Sequence, residues 1–194
     1  MPNEAEAVRP HLRAEDRLYV SGIGKVNAAA AAMKSIGDGA SEVWNFGLAG
    51  GFDPTMCIGD IVAISSAVEY DFDLARLNGT RVGQLSERTS PYIPLVDDYA
   101  VSMALRCGVL ATGDRFNDSD ADLSLLAELG ATVRDMEGAA IAHVCEKEGI
   151  PCRSVKCLSD IHGRGAMTKQ YLDNQSSCLT RLSAAAQAIL SSDV

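Results

Sequence analysis

VRDMEGAAIAHVCEKEGIPCRSVKCLSD, residues 133–160, reads as a strand, a turn, a helix, a second turn and a second strand. Glu137 falls at the turn into the helix, Gly149 closes the helix with Pro151 just beyond, and Asp160 ends the run of Val155, Cys157 and Leu158. Such a unit predicts a parallel pair of strands, and ligands of parallel sheets gather where the strands end. A Glu and an Asp converging there, partly shielded from water, can divide the labour of sugar chemistry. One holds or stabilises the sugar while the other handles a proton. An enzyme is the leading reading.

Outward from this unit, short apolar runs alternate with alanine-rich segments of helical spacing. That is the pattern of βαβ units, so the fold class is α/β, with a mixed, mostly parallel sheet flanked by helices. Residues 17–20 predict a strand running into the turn SGIGK, and residues 26–35 a helix. Residues 41–46 predict the next strand, which runs into GLAGG, and residues 59–70 a long apolar strand ending in EYDFD. The polar stretch 77–94, with Gly79, Gly83, Pro91 and Pro94, predicts a loop that covers the site or meets another subunit. Residues 97–106 suit a helix, 108–112 a strand, 121–129 a helix, and 169–190 a helix that packs through Leu179, Leu182, Ala186 and Leu190.

The 194 residues, 47% hydrophobic and 22% charged, suffice for a substantial core and predict a single domain over 1–194. A net charge of −9 argues against nucleic acid and anionic membranes as partners, since both require clustered Lys and Arg. Six cysteines without a CxxC pair, most in apolar surroundings, predict reduced thiols and a cytoplasmic location. The opening MPNEAEAVRP lacks the apolar core of a secretory signal, and no apolar run is long enough to cross a bilayer. His11, His143 and His162 are not spaced as metal ligands, so no metal is expected.

Each remaining motif has a plain alternative. SGIGK, with Gly22 and Gly24, lacks the third glycine of a dinucleotide fingerprint and the end of a P-loop, and on its own reads as a structural turn. The glycines of NFGLAGG permit either close approach to a ligand or close packing of the sheet. Phe116 stacks on a heterocycle or is ordinary core, and Asn117 reads a base edge or makes a turn. Glu137 has a helix-dipole explanation that needs no ligand.

Taken in order, SGIGKVNAA, NFGLAGG, IGDIVAISSAVEYDFD, TGDRF, DMEGAAIAHVCEKEGIP and SD resemble the nucleoside phosphorylase/nucleosidase family over about residues 1–161. The nearest branch is that of nucleosidases acting on 5′-methylthioadenosine and S-adenosylhomocysteine. Six motifs in register outweigh their separate alternatives. The resemblance implies a three-layer α/β/α fold and hydrolysis of a purine nucleoside's N-glycosidic bond, releasing adenine, with no metal or organic cofactor. It implies that Asp160 donates a proton to the purine while Ser159 positions it. Glu137 and Met136 would hold the ribose hydroxyls. Phe116 would stack on the base, with the backbone near Asn117 reading its edge. Ala49 and Gly50 would line the sugar side, and Ile23 would lie near the attacking water. Glu4 would position that water, with Glu6 as the fallback. A homodimer is implied as well.

Family members usually carry a strand before the opening Met and a hairpin after the Glu, whereas only sixteen residues separate Glu4 from Ser21. Absence of the first strand and hairpin predicts an exposed sheet edge. Leu48 replaces a small polar residue and Lys156 an Arg. A phosphorylase is the nearest rival, disfavoured because Asn45 stands where those enzymes carry an Arg for phosphate, although Arg9, Arg13 and Arg17 remain as cations. A non-catalytic purine-nucleoside binder is the second, and nucleosidases of futalosine or other 6-substituted nucleosides are a third.

Overall fold

The computed structural model describes residues 1–116 and 122–192. Among the described residues six strands form the sheet: β1 (Val43–Gly51), β2 (Ile61–Glu69), β3 (Ile93–Pro94), β4 (Arg106–Thr112), β5 (Val133–Asp135) and β6 (Cys152–Ile161). Their order is β3-β2-β4-β5-β1-β6, and β2 also pairs with β6, so the sheet curls until it meets itself. The long pairings, β1 with β6 and β2 with β4, are parallel. The pairings of β1 with β5 and of β2 with β6 are short and antiparallel. The sheet is therefore mixed and mostly parallel.

Helices cover both faces. Helix α1 (Pro2–Val8) leads through a 3-10 turn (Arg9–His11) towards α2 (Lys25–Gly37); the short α3 (Ala75–Asn78), α4 (Tyr99–Ser102) and α5 (Leu123–Glu128) follow, then α6 (Gly138–Glu148) and α7 (Met167–Leu190). Successive residues of a strand point to opposite faces. Leu158 and Ala49 accordingly join the core with α2 and α6, whereas their neighbours Cys157 and Leu48 pack with Cys178 and Leu182 of α7. Helix α1 lies against α7, where Val8 meets Ala186 and Leu190. Cys145, Cys152, Cys157 and Cys178 are buried free thiols, while Cys57 and Cys107 are exposed. No helix among the described residues is long and apolar enough to cross a membrane.

Several expectations are corrected. Residues 17–20 form no strand: the segment has no ladder partner, and Val20 is exposed. Among the described residues, the facing edge of β1 pairs with β5 only at Gly50 and Gly51, which leaves residues 43–49 without a strand on that side. The strand expected over 41–46 runs on through GLAGG to Gly51, where Gly50 and Gly51 lie beneath side chains of β6 that a Cβ would strike. The helix expected over 97–106 is only one turn, since Ala104 takes a left-handed φ of 51° and sends the chain into β4. The 77–94 segment includes the end of α3 and all of β3. It does not line the cavity described below, and instead docks on α6 through an ion pair of Arg88 with Glu146.

Candidate active site

One cavity of about 880 Å³ opens over the C-terminal ends of β1, β5 and β6. Asp160 enters it from β6 and is 2% exposed. The register slips by one residue beside it: Ala49 faces Leu158, Gly50 faces Asp160, and Ser159 is the extra residue. An inserted residue bends a strand and re-aims the next side chain. Ser159 Oγ donates to Asp160 Oδ1 at 2.7 Å and lies 3.3 Å from the Ala49 carbonyl, so one hydroxyl ties the carboxyl group to β1. A Cβ on Gly50 would fall 2.7 Å from Asp160 Oδ2. Gly50→Ala should therefore displace the carboxyl group by several tenths of an ångström and lower turnover about tenfold with little change in melting temperature. Steady-state kinetics and a thermal melt check this.

Glu137 stands at the start of α6, half-buried, and its carboxylate accepts the Gly24 N–H at 2.9 Å. Burial pushes its pKa up, the charge of Asp135 adds to the rise, and the Gly24 N–H and Lys156 offset only part of it. Gly24 is brought there by the SGIGK turn, where its φ of 93° suits glycine. The lysine of that motif, Lys25, points elsewhere. Its Nζ binds Asp71 at 2.6 Å and Glu69 at 3.2 Å, fastening the turn to the end of β2.

Glu4 approaches from α1. Its Oε1 accepts the Leu48 N–H at 2.8 Å on the edge of β1 that lacks a strand partner, and its other oxygen meets the Met1 amino group. Glu6, the fallback, is exposed and pairs with Arg9. Behind Glu4 lies Lys156, 2% exposed and paired with Asp135 at 2.9 Å. Burial alone would lower the lysine's pKa, but the carboxylates of Asp135, Glu137 and Glu4 outweigh it and the net shift is upward. A Cβ on Gly47 would sit 3.2 Å from Glu4 Oε1 and 3.3 Å from Lys156 Nζ, so that glycine lets the two charges approach.

Met136, Ala49, Ile23 and Phe116 also line the cavity, the last two at its rim, 56% and 51% exposed. Phe116 meets Tyr171 of α7 edge-on, with centroids 5.9 Å apart. Asn117 lies outside the described residues. Sequence reasoning assigned nothing to Asp135, Arg134, Met167 or Tyr171, all of which line the cavity. The strand signal of VRD located the first two, but which face they occupy follows from pairing with β1 and β4. Among the described residues, no three His, Cys, Asp or Glu side chains are grouped to hold a metal ion.

The family model described as Phosphorylase superfamily matches residues 17–192. The chain belongs to this superfamily. Within it, the chain is 37% identical over 163 residues to the 5′-methylthioadenosine/S-adenosylhomocysteine nucleosidase of Marinomonas sp., covering 76% of this chain and 68% of that protein. It is 30% identical over 158 residues to the aminodeoxyfutalosine nucleosidase of Campylobacter jejuni, covering 77% and 69%. The solved 5′-methylthioadenosine/S-adenosylhomocysteine nucleosidase of Helicobacter pylori, with butyl-thio-DADMe-Immucillin-A, matches with a TM-score of 0.81 at 25% identity, covering 88% of this chain and 77% of that one. The alignments to the two curated relatives thus span about two thirds of their length.

Proposed function

We propose that this chain hydrolyses the N-glycosidic bond of a purine nucleoside such as 5′-methylthioadenosine or S-adenosylhomocysteine, releasing adenine. The observation that carries the reading is the meeting of Asp160, Glu137 and Glu4 around one cavity. Asp160 protonates the base, because a neutral purine leaves more readily than an anion. Glu137 holds the ribose hydroxyls, Met136 closes on the sugar, and Glu4 orients the attacking water. The carboxylates also stabilise the positive charge that grows on the sugar as the bond breaks. Phe116 stacks on the base, Ser159 holds Asp160, Ala49 and Gly50 leave room for the sugar, and Ile23 shields the water's side.

Water rather than phosphate is the nucleophile in this reading. Asn45 carries no charge, and the buried cation beside it, Lys156, is engaged by Asp135. The chain acts as a single domain, as a homodimer, in the cytoplasm. Mass in solution tests the dimer. Purine release from a panel of 5′-methylthioadenosine, S-adenosylhomocysteine and a futalosine-type nucleoside, with and without phosphate, tests the reaction. Cleavage without phosphate is expected. Release that requires phosphate reverses the choice of nucleophile, and binding without cleavage overturns the enzyme.

A further inference from the structure

The mechanism leaves unused a buried charged group directly behind Glu137. Asp135 ends β5 with its side chain 2% exposed. Its carboxylate accepts Thr112 Oγ1 at 2.6 Å, the Gly138 N–H at 2.9 Å, the Glu137 N–H at 3.3 Å and Lys156 Nζ at 2.9 Å. Thr112 Oγ1 in turn accepts the Ala139 N–H at 2.8 Å. The first N–H groups of a helix have no partner within it. Here three successive ones, from Glu137 to Ala139, donate to a pair of side chains at the ends of β4 and β5. No side-chain cap of its own holds this helix start. A Cβ on Gly138 would fall 2.9 Å from Asp135 Oδ2 and 2.4 Å from Leu110, so the fit tolerates only glycine there.

We infer that Asp135 is a positioning residue for Glu137, fixing its backbone with the help of Thr112 and setting its charge in balance with Lys156. The inference rests on Glu137 being the sugar-binding carboxylate proposed above. Four groups face Glu137 from the elements around it: Asp135 from β5, Lys156 from β6, Glu4 from α1 and the Gly24 N–H from the turn before α2. Asp135 and Glu4 favour the protonated carboxyl group, and the other two favour the carboxylate. Removing the charge of Asp135 releases Lys156 towards Glu137, so both changes act in one direction.

The test is a carbon-13 titration of the Glu137 carboxyl group in the full chain, assigned with Glu137→Gln, alongside the pH profile, kcat and KM for nucleoside cleavage. In Asp135→Asn the Glu137 midpoint is expected to move to lower pH, the acid limb of the profile to follow it, and kcat/KM to fall about tenfold, mostly through KM. Thr112→Ser should match the wild type, whereas Thr112→Val should raise KM without moving the midpoint much. An unmoved midpoint and profile in folded Asp135→Asn overturns the inference. If Asp135→Asn does not fold, equal KM values for the Thr112→Ser and Thr112→Val variants overturn it. A midpoint that moves in Asp135→Asn, when the wild-type chain itself cleaves no nucleoside, upholds the coupling and overturns the nucleosidase reading instead.

Discussion

Asp160→Asn is expected to lower kcat for nucleoside cleavage by about 10²–10⁴-fold, the range for losing a general acid, while KM changes little. The substitution is nearly isosteric. Its amide oxygen still accepts the Ser159 hydroxyl that holds the side chain at 2.7 Å, and the amide fits over Gly50 as the carboxyl group does. An amide can offer a hydrogen bond to a ring nitrogen, so the substrate still binds. It cannot give up a proton, so the base has to leave as an anion. The signature is a loss confined to kcat, with adenine binding by calorimetry near the wild-type value and an unchanged melting profile. A kcat within about tenfold of wild type would remove Asp160 from the acid role, since proton transfer contributes more than that in enzymes that use it.

The unit that presents Asp160 was legible because its signals are local. Gly149, at a φ of 68°, closes α6 as its left-handed cap, Pro151 follows, and the strand beyond runs to Ile161. Glu137 and Asp160 stand at the start of α6 and the end of β6, but their strands are not the adjacent parallel pair that the spacing implied: β1 lies between β5 and β6, antiparallel to the first and parallel to the second. What failed was what depends on a partner. Residues 17–20 have the composition of a strand, yet a strand exists only against another, and among the described residues none lies along that part of β1's edge. The curl that joins Ile61, Val62 and Ala63 of β2 to β6 left no readable mark in the sequence, because it depends on the twist of the whole sheet and on a register slip between Ile64 and Ser66 that appears only once β2 is paired with β4. The same holds within the site. Asp135 and Lys156 look like an ordinary strand end and a mid-strand lysine, and only the packing of β5, β1 and β6 reveals a buried ion pair. Glu4 was placed by resemblance alone; its bond to the Leu48 N–H shows a side chain taking a position that a neighbouring strand's carbonyl would take.

Glu137→Gln is expected to cut kcat/KM by about 10²-fold, as for removal of one preorganised group from a developing charge, and to raise the melting temperature at neutral pH by a few degrees. The two effects have one origin. Burial and the neighbouring Asp135 raise the pKa of Glu137 in the folded chain. Between the unfolded value and the raised one, the folded state binds more protons than the unfolded state, so stability falls as pH rises through that window. Above it, the folded chain carries the full cost of an ionised carboxylate held where water is scarce. Glutamine keeps the acceptor for the Gly24 N–H and carries no charge, which removes that cost. The gap in melting temperature between variant and wild type should therefore open as pH rises from the acid side of the window and stay open at neutral pH. Melts across that range decide the matter. A gap independent of pH would mean that glutamine changes packing alone, and a variant less stable at neutral pH would mean that the carboxylate is better solvated than its surroundings imply. If both halves hold, the helix start keeps a costly charge because the sugar needs it, a trade of stability for activity located at one side chain.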